Sequence, residues 1–155
     1  MGVGLATDVE SVGLRERTGV TVGGGEEHRD AIAACDRFII PAQTEHLAMH
    51  GLDRMMRTLA MVEKSRGAAV PHIILPTLFD RRTRAGIRTL DVMRDRYGSA
   101  VSETVIPVDT QLRDASREAT PLPLYNASAK ASLSYTEFVD GLFRAQNEPS
   151  QAAVA

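Results

Sequence analysis

Four arginines lie within one short stretch of the chain and make a local group of positive charge. The group comprises Arg81, Arg82, Arg84 and Arg88. Arg84 and Arg88 are four positions apart, so on a helix they share one face. Arginines on one face bind DNA phosphates without reading base sequence, and the cluster predicts such a surface. The alternative is a solvated helix face whose charge Asp80 and Asp91 partly balance.

The other reactive side chains do not combine into a recognisable active site. His46 and His50 are spaced to face one metal ion from a helix, but no Glu stands between them as in His-Glu-x-x-His. The sequence therefore favours two surface histidines. Cys35 precedes an apolar run and is typical of a small core residue. No histidine follows His72 to complete a nucleophile triad, so we predict no catalytic residue and no bound metal.

Composition and net charge limit the classes of protein to which the chain can belong. The chain has 155 residues, of which 43% are hydrophobic and 25% charged, and its formal net charge is −2. These values are typical of a single soluble globular domain, and any contact with DNA would need a local patch. No apolar run approaches the roughly 18 residues of a membrane span, and no signal pattern opens the chain. With a single cysteine, we expect a cytoplasmic protein that makes no membrane contact.

Apolar patterning predicts strands that alternate with helices. Three short β-branched runs predict buried strands, at 36–41, 70–76 and 101–107. Three stretches with apolar residues at helical spacing predict helices, at 44–66, 82–97 and 132–146. Prolines predict a loop at 109–125. Because this alternation is typical of βαβ units, we predict an α/β fold with a small, partial doubly wound parallel sheet and an open edge.

The two ends of the chain differ from this central region. Residues 1–30 are rich in glycine, which weakens both helices and strands. We therefore expect a poorly structured segment at 1–30, with one short strand near 18–22, and a short helix at 28–34 where the pattern sharpens. The α/β region is expected at 31–146 and a flexible tail at 147–155.

Several segments, in order along the chain, resemble the ParA/MinD-like family of partition ATPases. Residues 36–52 are similar to the family's strand that ends in Pro-x-Gln-x-Glu and continues into a helix through Ala and Gly-Leu. Residues 77–83, Thr-Leu-Phe-Asp-Arg-Arg-Thr, resemble its Thr-Met-x-Asp-x-Arg-Thr motif. Residues 105–125 match its Ile-Pro, Leu-x-Glu-Ala and Tyr-Asp segments. The version seen here is most similar to ParA-like proteins of chemotaxis and flagellar operons, which position protein arrays at cell poles.

The resemblance implies where a nucleotide base would bind. Ligands of open α/β sheets lie beyond the carboxyl ends of the strands, and by resemblance the loops after the second and third strands would flank the base. The implied residues are Thr77, Phe79, Asp80, Pro107, Val108 and Asp109. The alternative is ordinary strand-to-helix turns, with Asp80 capping a helix that begins near Arg82. The resemblance also implies DNA binding by Arg81 and Arg82, although Val108 stands where the family often has arginine.

The family's phosphate-binding loop, Lys-Gly-Gly-Val-Gly-Lys-Thr, has no counterpart in these 155 residues. In that loop, backbone amides, a lysine and a threonine hold the phosphates and Mg²⁺. Leu5 stands where residues 1–7 would need the lysine, and no lysine precedes Lys64. We therefore expect neither bound ATP nor Mg²⁺ and no ATP hydrolysis by this chain alone, as in a family member whose phosphate-loop half is missing. Truncation, a frameshift, a wrong start and a natural split are all compatible with this pattern.

Three functions are compatible with these features. The first is an incomplete ParA-type partition protein that contacts non-specific DNA and pairs as a homo- or heterodimer with a ParA-like chain. The second is a non-enzymatic module that pairs with a full-length homologue through the open sheet edge and the helix at 47–66. The methionines of that helix suit a partner surface or simply fill a core. The third is a degraded gene product without function, which would not fold cooperatively.

Overall fold

The computed structural model describes residues 37–147, in which two parallel strands are flanked by helices. The strands are β1 (Phe38–Gln43) and β2 (His72–Thr77). The helices are α1 (His46–Arg66), α2 (Arg84–Tyr97), α3 (Gln111–Arg117), α4 (Leu122–Tyr125) and α5 (Lys130–Asn147), and a 3-10 turn spans Gly98–Ala100. Cys35 and the elements expected near 18–22 and at 28–34 lie outside the described residues. So do the segment 1–30 and nearly all of the tail at 147–155.

Alternation along the two strands divides the core into two clusters on opposite faces of the sheet. Phe38, Ile40 and Ile74 are buried on one face together with residues of α1 and α2. Leu75 is buried on the other face, against residues of α3, α4 and α5 that include Ala115, Leu122 and Phe138. Because successive side chains of a strand point to opposite faces, helices cover both sides of the sheet. The predicted α/β, doubly wound class is confirmed.

Each helix on the first face buries one stripe. In α1 the buried residues recur at helical spacing, as Met49, Leu52, Leu59 and Val62, and Gly67 ends the helix with φ of 69°. In α2 the hydroxyl of Thr83 accepts a hydrogen bond from the N–H of Gly86 at 3.2 Å and caps the first turn. Each fully buried aliphatic side chain contributes about 1.5–3 kcal/mol, so burial of these stripes is the main force that holds both helices on the sheet.

The carboxylate of Asp53 ties α1 to the end of α2. Nη1 of Arg96 lies 2.8 Å and 3.0 Å from its two oxygens, and the hydroxyl of Tyr97 donates a hydrogen bond to Oδ1. The bond from Tyr97, followed by the bond from Arg96, lowers the pKa of Asp53. Burial, and then the bond to Asp53, raises the pKa of Tyr97. At neutral pH the link therefore joins a carboxylate, a guanidinium and a neutral phenol.

The predicted third strand at 101–107 is wrong as a continuous strand. The segment makes only isolated parallel bridges, Ile74 with Val101 and Phe79 with Pro107. The N–H of Ser102 donates to the carbonyl of Ile74, and the N–H of Ile106 donates to the carbonyl of Pro76, both at 2.8 Å. Between these two bonds β2 advances by two residues, whereas the segment at 101–107 advances by four. Pro76 has no N–H to close a regular ladder between those two bonds. The segment therefore follows β2 but bulges away from it.

Other prolines also behave differently from their sequence signal. The sequence predicts that Pro41 ends the first strand, yet β1 continues to Gln43. The segment at 109–125, predicted as a loop, contains α3 and α4. Pro121 and Pro123 stand at the start of α4, where a missing N–H breaks no intrahelical bond. Within residues 37–147, no helix is long and apolar enough to cross a membrane.

Candidate functional site

Backbone hydrogen bonds join the loop after β2 to the segment that follows Ile106. The N–H of Phe79 donates to the carbonyl of Ile106 at 3.0 Å, and the N–H of Val108 donates to the carbonyl of Phe79 at 3.1 Å. These bonds bring the two implied base-contacting segments side by side at the carboxyl end of the sheet. The residues placed there are Thr77, Phe79, Asp80, Pro107, Val108 and Asp109.

Leu78 lies in the middle of the first segment in a left-handed conformation, with φ of 51°. Thr44, which is buried at the end of β1, holds this turn: its hydroxyl donates to the carbonyl of Leu78 at 3.4 Å, and its N–H donates to the carbonyl of Thr77 at 3.1 Å. Few non-glycine residues adopt this conformation. Leu78 and Val108 are 41% and 48% exposed, so two apolar side chains face solvent at this edge.

Asp80 is engaged by its own turn. Its Oδ1 accepts from the backbone N–H and from Nε of Arg82, at 3.0 Å and 2.9 Å, and its Oδ2 accepts from Nη2 at 2.9 Å. The side-chain bond from Arg82, followed by the backbone bond, lowers the pKa of Asp80 to about 2. Asp80 does not cap α2, because Thr83 does so and the helix begins at Arg84 rather than at Arg82.

Asp109 is also committed to backbone groups. Its Oδ1 accepts from the N–H of Gln111 at 3.0 Å, and its Oδ2 accepts from the N–H of Ala131 at 3.2 Å. One side chain therefore holds the first residue of α3 against the first turn of α5. Both carboxylates at the implied base site thus hold turns of the fold.

The histidine pair does not extend to a metal centre. The rings of His46 and His50 are both exposed and stand edge to face, with centroids 5.6 Å apart. Across residues 37–147, no group of three or more His, Cys, Asp or Glu side chains is arranged to hold a metal ion.

Two depressions in the described part of the chain lie away from most of the implied base site. One follows the outer edge of β1, where Phe38, Gln43, Gly51 and Met55 line it together with Thr77. The other lies between the sheet and α5, and is lined by residues such as Arg37, Ile73, Ser102, Phe138 and Gly141. Of the six implied base-contacting residues, Thr77 alone lines either depression.

The arginine cluster surrounds the start of α2. Arg81 and Arg82 lie in the turn before the helix, Arg84 and Arg88 lie on its first two turns, and all four are exposed. Arg82 pairs with Asp80. Among the side chains that the structure describes, no carboxylate oxygen lies within ion-pair distance of the other three arginines, and Asp91 is not paired with them.

Most of the chain is similar in sequence to chromosome-partitioning proteins. It is 28% identical over 109 residues to the sporulation initiation inhibitor protein Soj of Bacillus subtilis, which covers 70% of this chain and 43% of Soj. It is 27% identical over 129 residues to the chromosome partitioning protein ParA of Caulobacter vibrioides, which covers 80% of this chain and 47% of that ParA. No protein-family model matches the chain.

Two solved structures also match most of the chain. The match to cobyrinic acid a,c-diamide synthase from Mycobacterium smegmatis covers 77% of this chain and 42% of the synthase chain, with 27% identity and a TM-score of 0.59. The match to Cyanthece McdA covers 72% of this chain and 46% of the McdA chain, with a TM-score of 0.61 and 14% identity, so the two share a fold. The chain spans less than half the length of the curated relatives it matches. Over 70–80% of its length, the chain is therefore similar to partition ATPases of the ParA/MinD-like family.

Proposed function

We propose that this chain is a cytoplasmic ParA-family positioning protein that holds DNA non-specifically through the start of α2 and does not hydrolyse ATP by itself. The observation that carries the proposal is the charge around that helix start. Arg81, Arg84 and Arg88 are exposed there without ion-pair partners among the described side chains, and the first turn of α2 has no acidic residue.

The position of these arginines is unfavourable for the helix itself. A helix N-terminus carries about half a positive charge, so cations beside it weaken the helix whereas anions stabilise it. Arginine side chains and the helix terminus both attract phosphate. A DNA backbone at this surface would relieve the repulsion among Arg81, Arg84 and the terminus. Without an anion, the same arrangement only lowers the stability of α2.

Salt dependence tests the DNA-binding part of the proposal. Each phosphate contact contributes about −0.9 to the slope of log affinity against log salt, so three free arginines predict a slope of about −3 between roughly 50 and 200 mM salt. Fluorescence anisotropy with a labelled duplex of arbitrary sequence would measure it. Replacing both Arg84→Ala and Arg88→Ala should reduce the slope to about −1.

The matched control replaces Arg113→Ala and Arg117→Ala, which are also exposed and four positions apart, but on α3. This control should leave both affinity and slope unchanged. Equal losses from the two double variants would mean that binding follows net charge rather than the start of α2, and the proposed surface would be abandoned.

The absence of ATP hydrolysis is proposed from the residues near the implied base site. Asp80 and Asp109 already accept hydrogen bonds from Arg82 and from backbone amides, and these 155 residues contain no phosphate-loop lysine. Thermal unfolding with and without Mg-ATP should show no shift, and phosphate release should match the blank. Ligand at a hundred times its Kd would add about 2.7 kcal/mol, so a rise of roughly 5–11 °C would contradict the proposal.

A second proposal concerns pairing with another ParA-like chain, with placement of a polar protein array as the implied task. Leu47 and Met61 are 79% and 52% exposed on α1, and their spacing of nearly four turns puts them on one helix face. Sedimentation of the chain alone and with a full-length ParA-like protein should show a complex. Leu47→Asp with Met61→Asp should abolish it, whereas a monomer that ignores such a partner would rule pairing out.

A further inference from the structure

One side of α1 faces solvent and combines positive charge with apolar residues. The residues of this side recur every three or four positions and lie opposite the buried stripe of the helix. From end to end they span about 26 Å at 1.5 Å per residue. This surface, the α1 stripe, consists of exposed residues only: Leu47, His50, Arg54, Arg57, Met61 and Lys64.

The α1 stripe contains no acidic residue, and the two carboxylates of the helix are engaged elsewhere. Asp53 pairs with Arg96 on α2. Oε1 of Glu63 accepts a hydrogen bond from the N–H of Val70 at 2.9 Å. Among the described side chains, no carboxylate oxygen lies within ion-pair distance of the two arginines or the lysine of the stripe. The stripe is therefore a cationic surface whose charge the described part of the chain does not neutralise.

The apolar members of the stripe favour a protein helix over DNA as its partner. Leu47 is 79% exposed and Met61 is 52% exposed. Phosphates gain nothing from such side chains, whereas a protein partner removes their apolar surface from water. The steps along the stripe alternate between three and four residues, and Leu47 and Met61 are two heptads apart. This spacing is typical of a helix face that packs against a second helix.

The charge of the stripe disfavours a second copy of this chain. Its centre lies between Arg54 and Arg57, so in an antiparallel pair Arg54 would meet Arg57 of the second copy. In a parallel pair each arginine would meet its own counterpart. Like charges placed together oppose association, whereas carboxylates at the same positions attract the arginines.

We propose that the α1 stripe binds an acidic amphipathic helix of a partner protein. Aspartate or glutamate side chains of that helix face Arg54 and Arg57, and its apolar side chains cover Leu47 and Met61. The proposal rests on the proposed role of α1 in pairing and names the chemistry of the surface that pairs there. The apolar contacts set the register of the two helices, and the central charges select a partner of opposite sign.

Two synthetic helical peptides test the proposal by fluorescence anisotropy with the full chain. Each has about 21 residues, with leucines two heptads apart on one face and alanine-rich remaining faces. Between the leucines, one peptide carries glutamates and the other lysines at the same positions. We expect the glutamate peptide to bind at least about tenfold more tightly than the lysine peptide.

Charge reversal in the chain should reverse this preference. Arg54→Glu with Arg57→Glu should bind the lysine peptide at least about tenfold more tightly than the glutamate peptide. A variant that merely failed to fold would not gain affinity for the lysine peptide. The matched control is Arg113→Glu with Arg117→Glu on α3, which are also exposed and change the net charge equally. This control should keep the preference of the unaltered chain.

Four results would overturn the proposal. The first is equal affinity of the unaltered chain for both peptides, and the second is an equal change of preference in the α3 control. The third is binding of a DNA duplex that Arg54→Glu with Arg57→Glu abolishes and the α3 control retains, which would make the stripe a nucleic-acid surface. The fourth is self-association that only the α1 variant abolishes, which would identify a second copy as the occupant.

The peptide experiment also separates this proposal from the pairing on which it rests. If the chain forms a complex with a full-length ParA-like protein but does not bind the glutamate peptide, the acidic helix is refuted and pairing stands. If neither complex forms, both proposals are refuted.

Discussion

Replacing Asp109 should weaken the connection between α3 and α5. Its two oxygens accept one hydrogen bond each from the N–H groups of Gln111 and Ala131. Loss of a side-chain acceptor at a helix start costs about 0.5–2 kcal/mol. Asp109→Ala removes two such bonds, so we expect a loss of about 2–3 kcal/mol in the free energy of unfolding. Asp109→Asn keeps one acceptor oxygen, and its loss should be about half as large.

Urea unfolding at constant pH measures these losses. With a slope of about 2 kcal/mol per molar urea, Asp109→Ala should lower the midpoint by about 1–1.5 M. The control is Asp140→Asn, on the exposed side of α5, which should change stability by no more than about 0.5 kcal/mol. If Asp109→Ala were as harmless as this control, the carboxylate would not hold the two helices and would be available to a ligand after all.

Two further predictions concern other contacts of the fold. Because its bonds to Tyr97 and Arg96 lower the pKa of Asp53, the ionised form favours folding, and this contribution is present above the unfolded pKa of about 3.9 and lost as pH falls through the folded value. Unfolding of wild type and Asp53→Asn from pH 7 to pH 2 should show a constant difference near neutrality that shrinks below pH 4, and a difference that does not change with pH would refute this. Gly86→Ala should destabilise by about 1–3 kcal/mol, because the new Cβ would lie 2.9 Å from Thr83 Oγ1 and 3.1 Å from the carbonyl of Asp80. Gly51→Ala, which meets open space, should stabilise α1 by about 0.5–1 kcal/mol, and the opposite order of the two variants in urea would contradict this account.

Apolar periodicity was sufficient to predict the two strands and three long helices, because burial decides those elements. It failed where one missing backbone N–H determines whether a strand pairs or a helix begins. Pro76 reads as the end of a strand, but the structure places it inside β2, where its missing N–H disrupts the next pairing instead. Pro121 and Pro123 are typical of a loop, yet they stand at the start of α4, because the first turn of a helix does not use their missing N–H donors.

At the candidate site, the sequence predicted which segments meet but not what their side chains do. The motif resemblance placed the loops after β2 and after Ile106 together, and backbone bonds join them. The positive φ of Leu78 has no signal in its residue type, and the buried hydroxyl of Thr44 that supports it gave no sign beyond a threonine between strand and helix. The carboxylate of Asp109 binds the N–H groups of Gln111 and Ala131, which lie 2 and 22 positions away in the sequence. The contact with Ala131 is a tertiary contact, and local sequence patterns do not predict it.

The distribution of satisfied and unsatisfied charges favours a surface function for the described region. Asp80 and Asp109 have partners in the fold, so much of their capacity to accept hydrogen bonds is already used to hold two turns. Arg81, Arg84 and Arg88 face solvent beside a helix N-terminus and lack ion pairs among the described side chains. An anion at that surface would gain attraction without breaking any ion pair of these three arginines. The residues therefore favour an extended polyanion on α2 over a Mg²⁺-nucleotide at the carboxyl edge, as the proposed DNA-binding role requires.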